Sequence, residues 1–211
     1  LDACLNIERS AAWLYTRRQI SAISWSDCGQ KAWVARRVGS HPMSDKPLLF
    51  IDVDGVLSTY GFDTERADPR HLHLVDEIPH HIPSPMAERI KSAIPHFESV
   101  WATGWGERAN DHLVYILDLP GELEVVEFAT RPSTDGSGHW KLNELTERAA
   151  GRAAAWIDDG LNESCQAWAA ERHDPTLLVH TDPFVGMTDD HVSELIEWAD
   201  DFSRRASADT R

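Results

Sequence analysis

From about Met43 onward, two kinds of hydrophobic pattern alternate along the chain. Short apolar runs bounded by turn residues read as buried parallel strands. Stretches in which apolar positions recur every three or four residues read as amphipathic helices. Strands are expected at residues 48–53, 97–102, 123–128, 153–157 and 176–180. Helices are expected from Pro85 to about Ile94, with Ser84 as N-cap, and at 107–117, 139–150 and 163–172. A last helix, capped by Thr188, is expected to reach about Phe202 and leave a frayed tail at 204–211. Pro120-Gly121 and Gly151 supply stop signals. Residues 58–83 are irregular and hold at most a short hairpin around His71–Asp76, and a Gly- and Ser-containing loop fills 130–138. Alternating strands and helices imply a three-layer α/β domain, Rossmann-like, around a parallel sheet of about five strands.

Residues 1–42 do not share this pattern. They carry three tryptophans, one candidate helix near 11–20 and a local charge of +3, whereas residues 43–211 carry −18. The expected organisation is therefore an N-terminal extension at 1–42, outside the fold, followed by one domain at 43–203. A domain that acidic is a poor general binder of nucleic acid, whose phosphates need cationic partners. No apolar run is long enough to span a membrane. Three widely spaced cysteines make neither a disulfide framework nor a zinc pattern, so a reducing, cytoplasmic setting is expected.

The chemistry concentrates where strands end. The first strand runs into Asp52-Val53-Asp54-Gly55, two carboxylates one residue apart followed by a glycine that allows a sharp turn. Crowded carboxylates repel unless a cation or proton sits between them, and oxygen-only ligands suit Mg²⁺. The second strand ends in Thr103-Gly104-Trp105, a hydroxyl and exposed backbone N–H groups suited to a phosphate. Lys141 lies near a helix start, where the helix dipole disfavours a cation unless an anion is close. The fourth strand ends in a second acidic pair, Asp158-Asp159-Gly160. Singly, each has an ordinary explanation as a turn, a cap or a solvated side chain. What separates them from background is that all occur in order, each near the same sheet edge.

That order resembles the four motifs of the haloacid dehalogenase (HAD) superfamily of phosphohydrolases, over roughly residues 46–202. The order distinguishes it from response-regulator receivers, which carry their phospho-accepting aspartate after the third strand. The resemblance implies that Asp52 is the nucleophile and forms an aspartyl-phosphate. Asp54 would be general acid and base, and Thr103, Gly104 and Lys141 would bind the phosphoryl oxygens. Mg²⁺ would be held by Asp52, the Asp54 main-chain carbonyl and Asp158, with Asp159 assisting. Only 48 residues separate Asp54 from Thr103 and 37 separate Thr103 from Lys141, so no cap domain fits. The open site suits a phosphorylated small molecule or an exposed phosphate on a larger substrate. The motifs also look like those of HAD domains in bacterial RNA-repair proteins. Alternatives are an end-phosphatase acting on nucleic acid and a catalytically weak binding module. Trp105 is a candidate for stacking on a base or sugar. His71, His73, His80 and His81 are expected to face solvent or touch the leaving group rather than bind zinc.

Overall fold

A computed structural model describes residues 46–129 and 139–209. The N-terminal extension and the 130–138 loop lie outside the described residues. The first strand, β1 (Leu48–Ile51), is buried along its whole length. A hairpin follows, β2 (Leu72–Val75) and β3 (Ile78–His81), turned at Asp76 and Glu77, both at positive φ. Next come α1 (Pro85–Ala93), β4 (Glu98–Trp101), α2 (Arg108–Ile116) and β5 (Glu124–Val125). The chain continues through α3 (Leu142–Arg148), β6 (Ala154–Asp158), α4 (Glu163–Glu171), β7 (Thr176–His180) and α5 (Asp189–Asp209).

The five-stranded sheet has the order β5-β4-β1-β6-β7, and all its strand pairs are parallel. After β1 the chain builds outward on one side through β4 and β5, then returns to build β6 and β7 on the other. The strand order therefore reverses at β1, and the crevice at its carboxyl end is where such sheets place ligands. Strand alternation divides the core into two. Leu49, Ile51, Trp101 and Ile157 pack beneath α1, α2 and α5, while Leu48, Phe50, Val100 and Trp156 pack against α3 and α4. Phe50 and Trp156 are wholly buried, which contributes about 2–3 kcal/mol for a side chain the size of Phe. This is the expected three-layer α/β architecture, and the segment between β1 and α1 holds only the hairpin and a short 3-10 turn, not a cap domain.

Several local expectations need correction. The strand expected at 123–128 pairs only at Glu124 and Val125. The Asn110 side chain takes both backbone groups of Leu123, receiving its N–H at 3.0 Å and donating to its carbonyl at 2.8 Å, so the ladder begins one residue later. Ser84 precedes α1 but makes no side-chain cap, because its own backbone is already helical. Helix α3 is shorter than the expected 139–150 and has Lys141 at its N-cap. The last helix, expected to reach about Phe202, continues to Asp209. No Gly or Pro stops the helix there, and Ser207 Oγ donates back to the Ser203 carbonyl at 2.8 Å. At the start of α5, Thr188 Oγ1 accepts from the His191 N–H at 3.3 Å while His191 Nδ1 accepts from the Thr188 N–H at 3.1 Å. This is a reciprocal cap with histidine in the place usually held by Glu or Gln.

Candidate active site

Strand parity brings the first group together. Leu48 and Phe50 face α3 and α4, so Asp52, two residues on, continues toward that side, as Asp158 does two residues after Trp156. Lys141, at the start of α3 on the same side, reaches both. Its Nζ lies 2.8 Å from Asp52 Oδ2 and 2.7 Å from Asp158 Oδ2, and all three residues are buried. The anion that justifies a lysine at this helix start is thus the protein's own pair of carboxylates.

Asp158 is densely solvated by protein. Its Oδ2 also accepts from Trp156 Nε1 at 3.1 Å, and its Oδ1 accepts from the Gly160 N–H at 2.8 Å. His139 Nε2 lies 3.7 Å from Oδ1, and its Nδ1 accepts from the Lys141 N–H at 3.3 Å, which puts the ring proton on Nε2, toward Asp158. Burial works against the charged carboxyl, but the His139, Lys141 and Gly160 donors outweigh it and hold Asp158 down at about 2. Burial dominates at Asp52 instead. Helped by repulsion from Asp158 and only partly offset by Lys141, it pushes Asp52 up to about 7. Lys141 stays firmly protonated, because Asp52 and Asp158 outweigh its burial.

Asp159 completes a cluster with Asp52 and Asp158 in which one ligand atom from each lies within 4.8 Å of the others. The Asp159 carboxylate forms no ion pair among the described residues, and burial together with Asp158 raises its proton affinity. Three carboxylates facing one ammonium leave negative charge uncompensated, and the donors are all oxygen. Both features fit a hard divalent cation. Gly55 is dictated by this packing: it sits at φ +75°, and a Cβ there would come within 2.3 Å of Asp159 Oδ2.

Asp54 belongs to a different environment. Its carboxylate is outside that cluster and its side chain is 36% exposed. Trp105 Nε1 donates to Asp54 Oδ2 at 2.9 Å, and His80 Nδ1 lies 3.4 Å from Oδ1. Thr103 is buried beside this group, where its Oγ1 accepts from the Trp105 N–H at 3.3 Å, and Gly104 is exposed on the turn between them. Trp105 is buried, 7% exposed, and its ring meets His80 edge-on at 4.6 Å.

Sequence reading missed His80, His139 and Trp156 as contacts of the acids. For Trp156 the signal was available, since it lies two residues before Asp158 on one strand face. For His80 nothing in the sequence marked which of four flap histidines turns inward. Of the other three, His81 bonds Thr59 Oγ1 at 2.8 Å, while His71 and His73 line a cleft against Ala87 and Ile116.

The loop after β7 also braces the site. Thr181 Oγ1 donates to the Gly55 carbonyl at 2.9 Å, and Met187 N–H donates to the Val56 carbonyl at 2.8 Å.

The family of HAD domains in Swiss Army Knife RNA repair proteins matches residues 48–192. No curated protein matches the chain. No helix among the described residues is long and apolar enough to cross a membrane. The match spans both acidic pairs, Thr103 and Lys141, and the chain belongs to this family of HAD domains.

Proposed function

We propose that this HAD domain is a Mg²⁺-dependent phosphomonoester hydrolase working through an aspartyl-phosphate on Asp52. The observation that carries the reading is the meeting of Asp52, Asp158 and Asp159 within 4.8 Å, with the Lys141 ammonium between two of them. Asp52 and Asp159 would hold the metal together with the Asp54 main-chain carbonyl. Asp158 would share in holding the ion, and through its bonds from Lys141, Trp156 and Gly160 it also orients the lysine. Bound there, the ion supplies positive charge where phosphoryl transfer concentrates negative charge.

The chain's own residues do the rest. An Asp52 carboxylate oxygen attacks phosphorus while the bond to the leaving oxygen breaks, and Asp54 gives that oxygen a proton. Asp54 then takes a proton from water as the water oxygen displaces Asp52 and releases phosphate. Thr103, the Gly104 N–H and Lys141 hold the phosphoryl oxygens, Lys141 also screening Asp52 from the incoming anion.

The site is open, with a hairpin in place of a cap domain, so a phosphate at the end of a larger molecule fits as well as a small phosphomonoester. Family membership favours nucleic-acid ends as the larger substrate. The purified protein should hydrolyse p-nitrophenyl phosphate with Mg²⁺, and Asp52→Asn should abolish this. Full activity in that variant would remove the covalent mechanism. Comparing a phosphorylated oligonucleotide with the matching mononucleotide separates the end-phosphatase from a small-molecule enzyme.

A further inference from the structure

Asp54 is held at Oδ2 by an indole N–H and has His80 Nδ1 3.4 Å from Oδ1, with no lysine or arginine on its carboxylate among the described residues. Trp105 folds back from the turn after β4 so that its indole N–H meets Asp54 Oδ2 at 2.9 Å. The ring cannot easily swing away, because His80 of the hairpin packs edge-on against it at 4.6 Å. The hairpin is itself fastened to this turn. Arg108 donates from Nε to the Trp105 carbonyl at 3.2 Å and pairs through its other end with Asp76 in the hairpin turn. His80 Nδ1 lies 3.2 Å from Ser58 Oγ, which ties the hairpin to the loop after β1 as well.

An indole N–H donates and never accepts, so the oxygen it meets must keep a lone pair turned toward it. The carbonyl-type oxygen of a carboxyl is the better acceptor, so this bond favours Oδ2 in that form and the exchangeable proton of Asp54 on Oδ1, the oxygen 3.4 Å from His80 Nδ1. We propose that Trp105 is a positioning residue. Its N–H, braced by the hairpin through His80, locks the Asp54 carboxyl so that Oδ1 is the oxygen that gives and recovers the proton. The inference rests on the hydrolase reading above and adds to it the reason an open site keeps a hairpin. It also assigns Trp105 a role other than stacking on the substrate: the residue is 7% exposed, and its donor is already used.

A positioning role has a signature that a merely structural role lacks. Proton donation matters most when the leaving oxygen is a poor leaving group, so the effect of losing it should depend on the substrate. Trp105→Phe keeps a ring against His80 and removes the N–H. With Mg²⁺, kcat/KM for glycerol phosphate should fall about 10- to 100-fold. For p-nitrophenyl phosphate it should stay within about 3-fold, since that leaving group needs little protonation. Replacing Trp105 by β-(3-benzothienyl)alanine keeps the bicyclic shape without the N–H and should give the same split if the Phe variant folds poorly. In an Asp54→Asn background, Trp105→Phe should add almost nothing, because its effect passes through Asp54.

Equal losses on both substrates, a rise in KM alone, or a full additional loss in the Asp54→Asn background would each overturn the proposal. Those outcomes leave the hydrolase reading standing, whereas an Asp52→Asn variant that still turns over removes it whatever Trp105 does.

Discussion

Asp52 and Asp54 are two residues apart in the sequence and inhabit opposite surroundings. Asp52 is buried against an ammonium and a second carboxylate, in a group whose charge does not balance without a further cation. Asp54 is partly exposed, faces an indole N–H and a histidine, and stands outside that group. The difference shows how one sheet edge can place two identical carboxyl groups in two tasks. A nucleophile benefits from fixed positive charge that partly offsets the effect of its burial and screens it from an incoming phosphate. An acid that must also act as a base benefits from the absence of a fixed cation and from access to solvent, where its proton can leave and return.

Given this contrast, Asp52→Asn and Asp54→Asn should fail differently. Asp52→Asn should lower kcat at least about 10³-fold on every phosphomonoester, since the group that forms the covalent bond is gone. Asp54→Asn should cost about 10²- to 10⁴-fold on poor leaving groups and less on p-nitrophenyl phosphate. Steady-state kinetics on the two substrate types reads both, and identical profiles for the two variants would break the comparison.

Lys141→Ala should be the most destabilising change on the Asp52 side. It leaves two buried carboxylates with no cation, a loss of about 3–5 kcal/mol by the usual cost of breaking a buried pair. Urea unfolding in metal-free buffer measures it, and added Mg²⁺ should recover part of the loss by supplying the missing charge. Trp105→Phe, which removes only a neutral donor, should cost much less in the same assay.

Gly55→Ala tests the link between the two acidic pairs. Its φ of +75° and the 2.3 Å approach to Asp159 Oδ2 mean that Asp159 must shift. The strain should cost about 1–3 kcal/mol. Mg²⁺ affinity, read by calorimetry, should weaken even where the variant folds. Unchanged affinity would show that Asp159 takes no part in holding the ion.

The smallest effect is expected at the opposite edge of the sheet, where Glu98 at the start of β4 pairs with Arg152 and Arg148. Hydrogen bonds from Arg152, with Arg148 adding to them, hold the Glu98 carboxyl below its ordinary range against some burial. A depressed folded-state value means this contribution is fully present above the unfolded pKa, about 4.3. It is lost as pH falls through the folded value. Solvent screening limits it to about 0.5–1 kcal/mol. Glu98→Gln should therefore lower the urea midpoint slightly at pH 7, and the difference should shrink as pH falls through the folded value. Kinetic constants should not move, because this pair lies far from the carboxyl edge where the acids meet.

The apolar runs of residues 48–51 and 153–157 can hardly be anything but central strands, because a segment with no polar face must be covered on both sides. From that follow the parallel sheet, the flanking helices and the placing of both acidic pairs at strand ends, all legible in the chain itself. Elsewhere local signals were overruled. The start of the third strand is delayed one residue by Asn110, a residue on a helix, and α5 runs seven residues past Phe202 because nothing in the chain stops it.

Sequence alone thus determined which residue types sit at the carboxyl edge, since strand period and turn chemistry are local properties. Only the tertiary structure decided which acid meets which donor: Asp158 with Lys141, Trp156 and Gly160, Asp54 with Trp105 and beside His80. Those partners arrive from separate strands, helices and the hairpin, and hydrogen bonds and ion pairs act only over a few ångströms, a distance that packing sets and chain order does not.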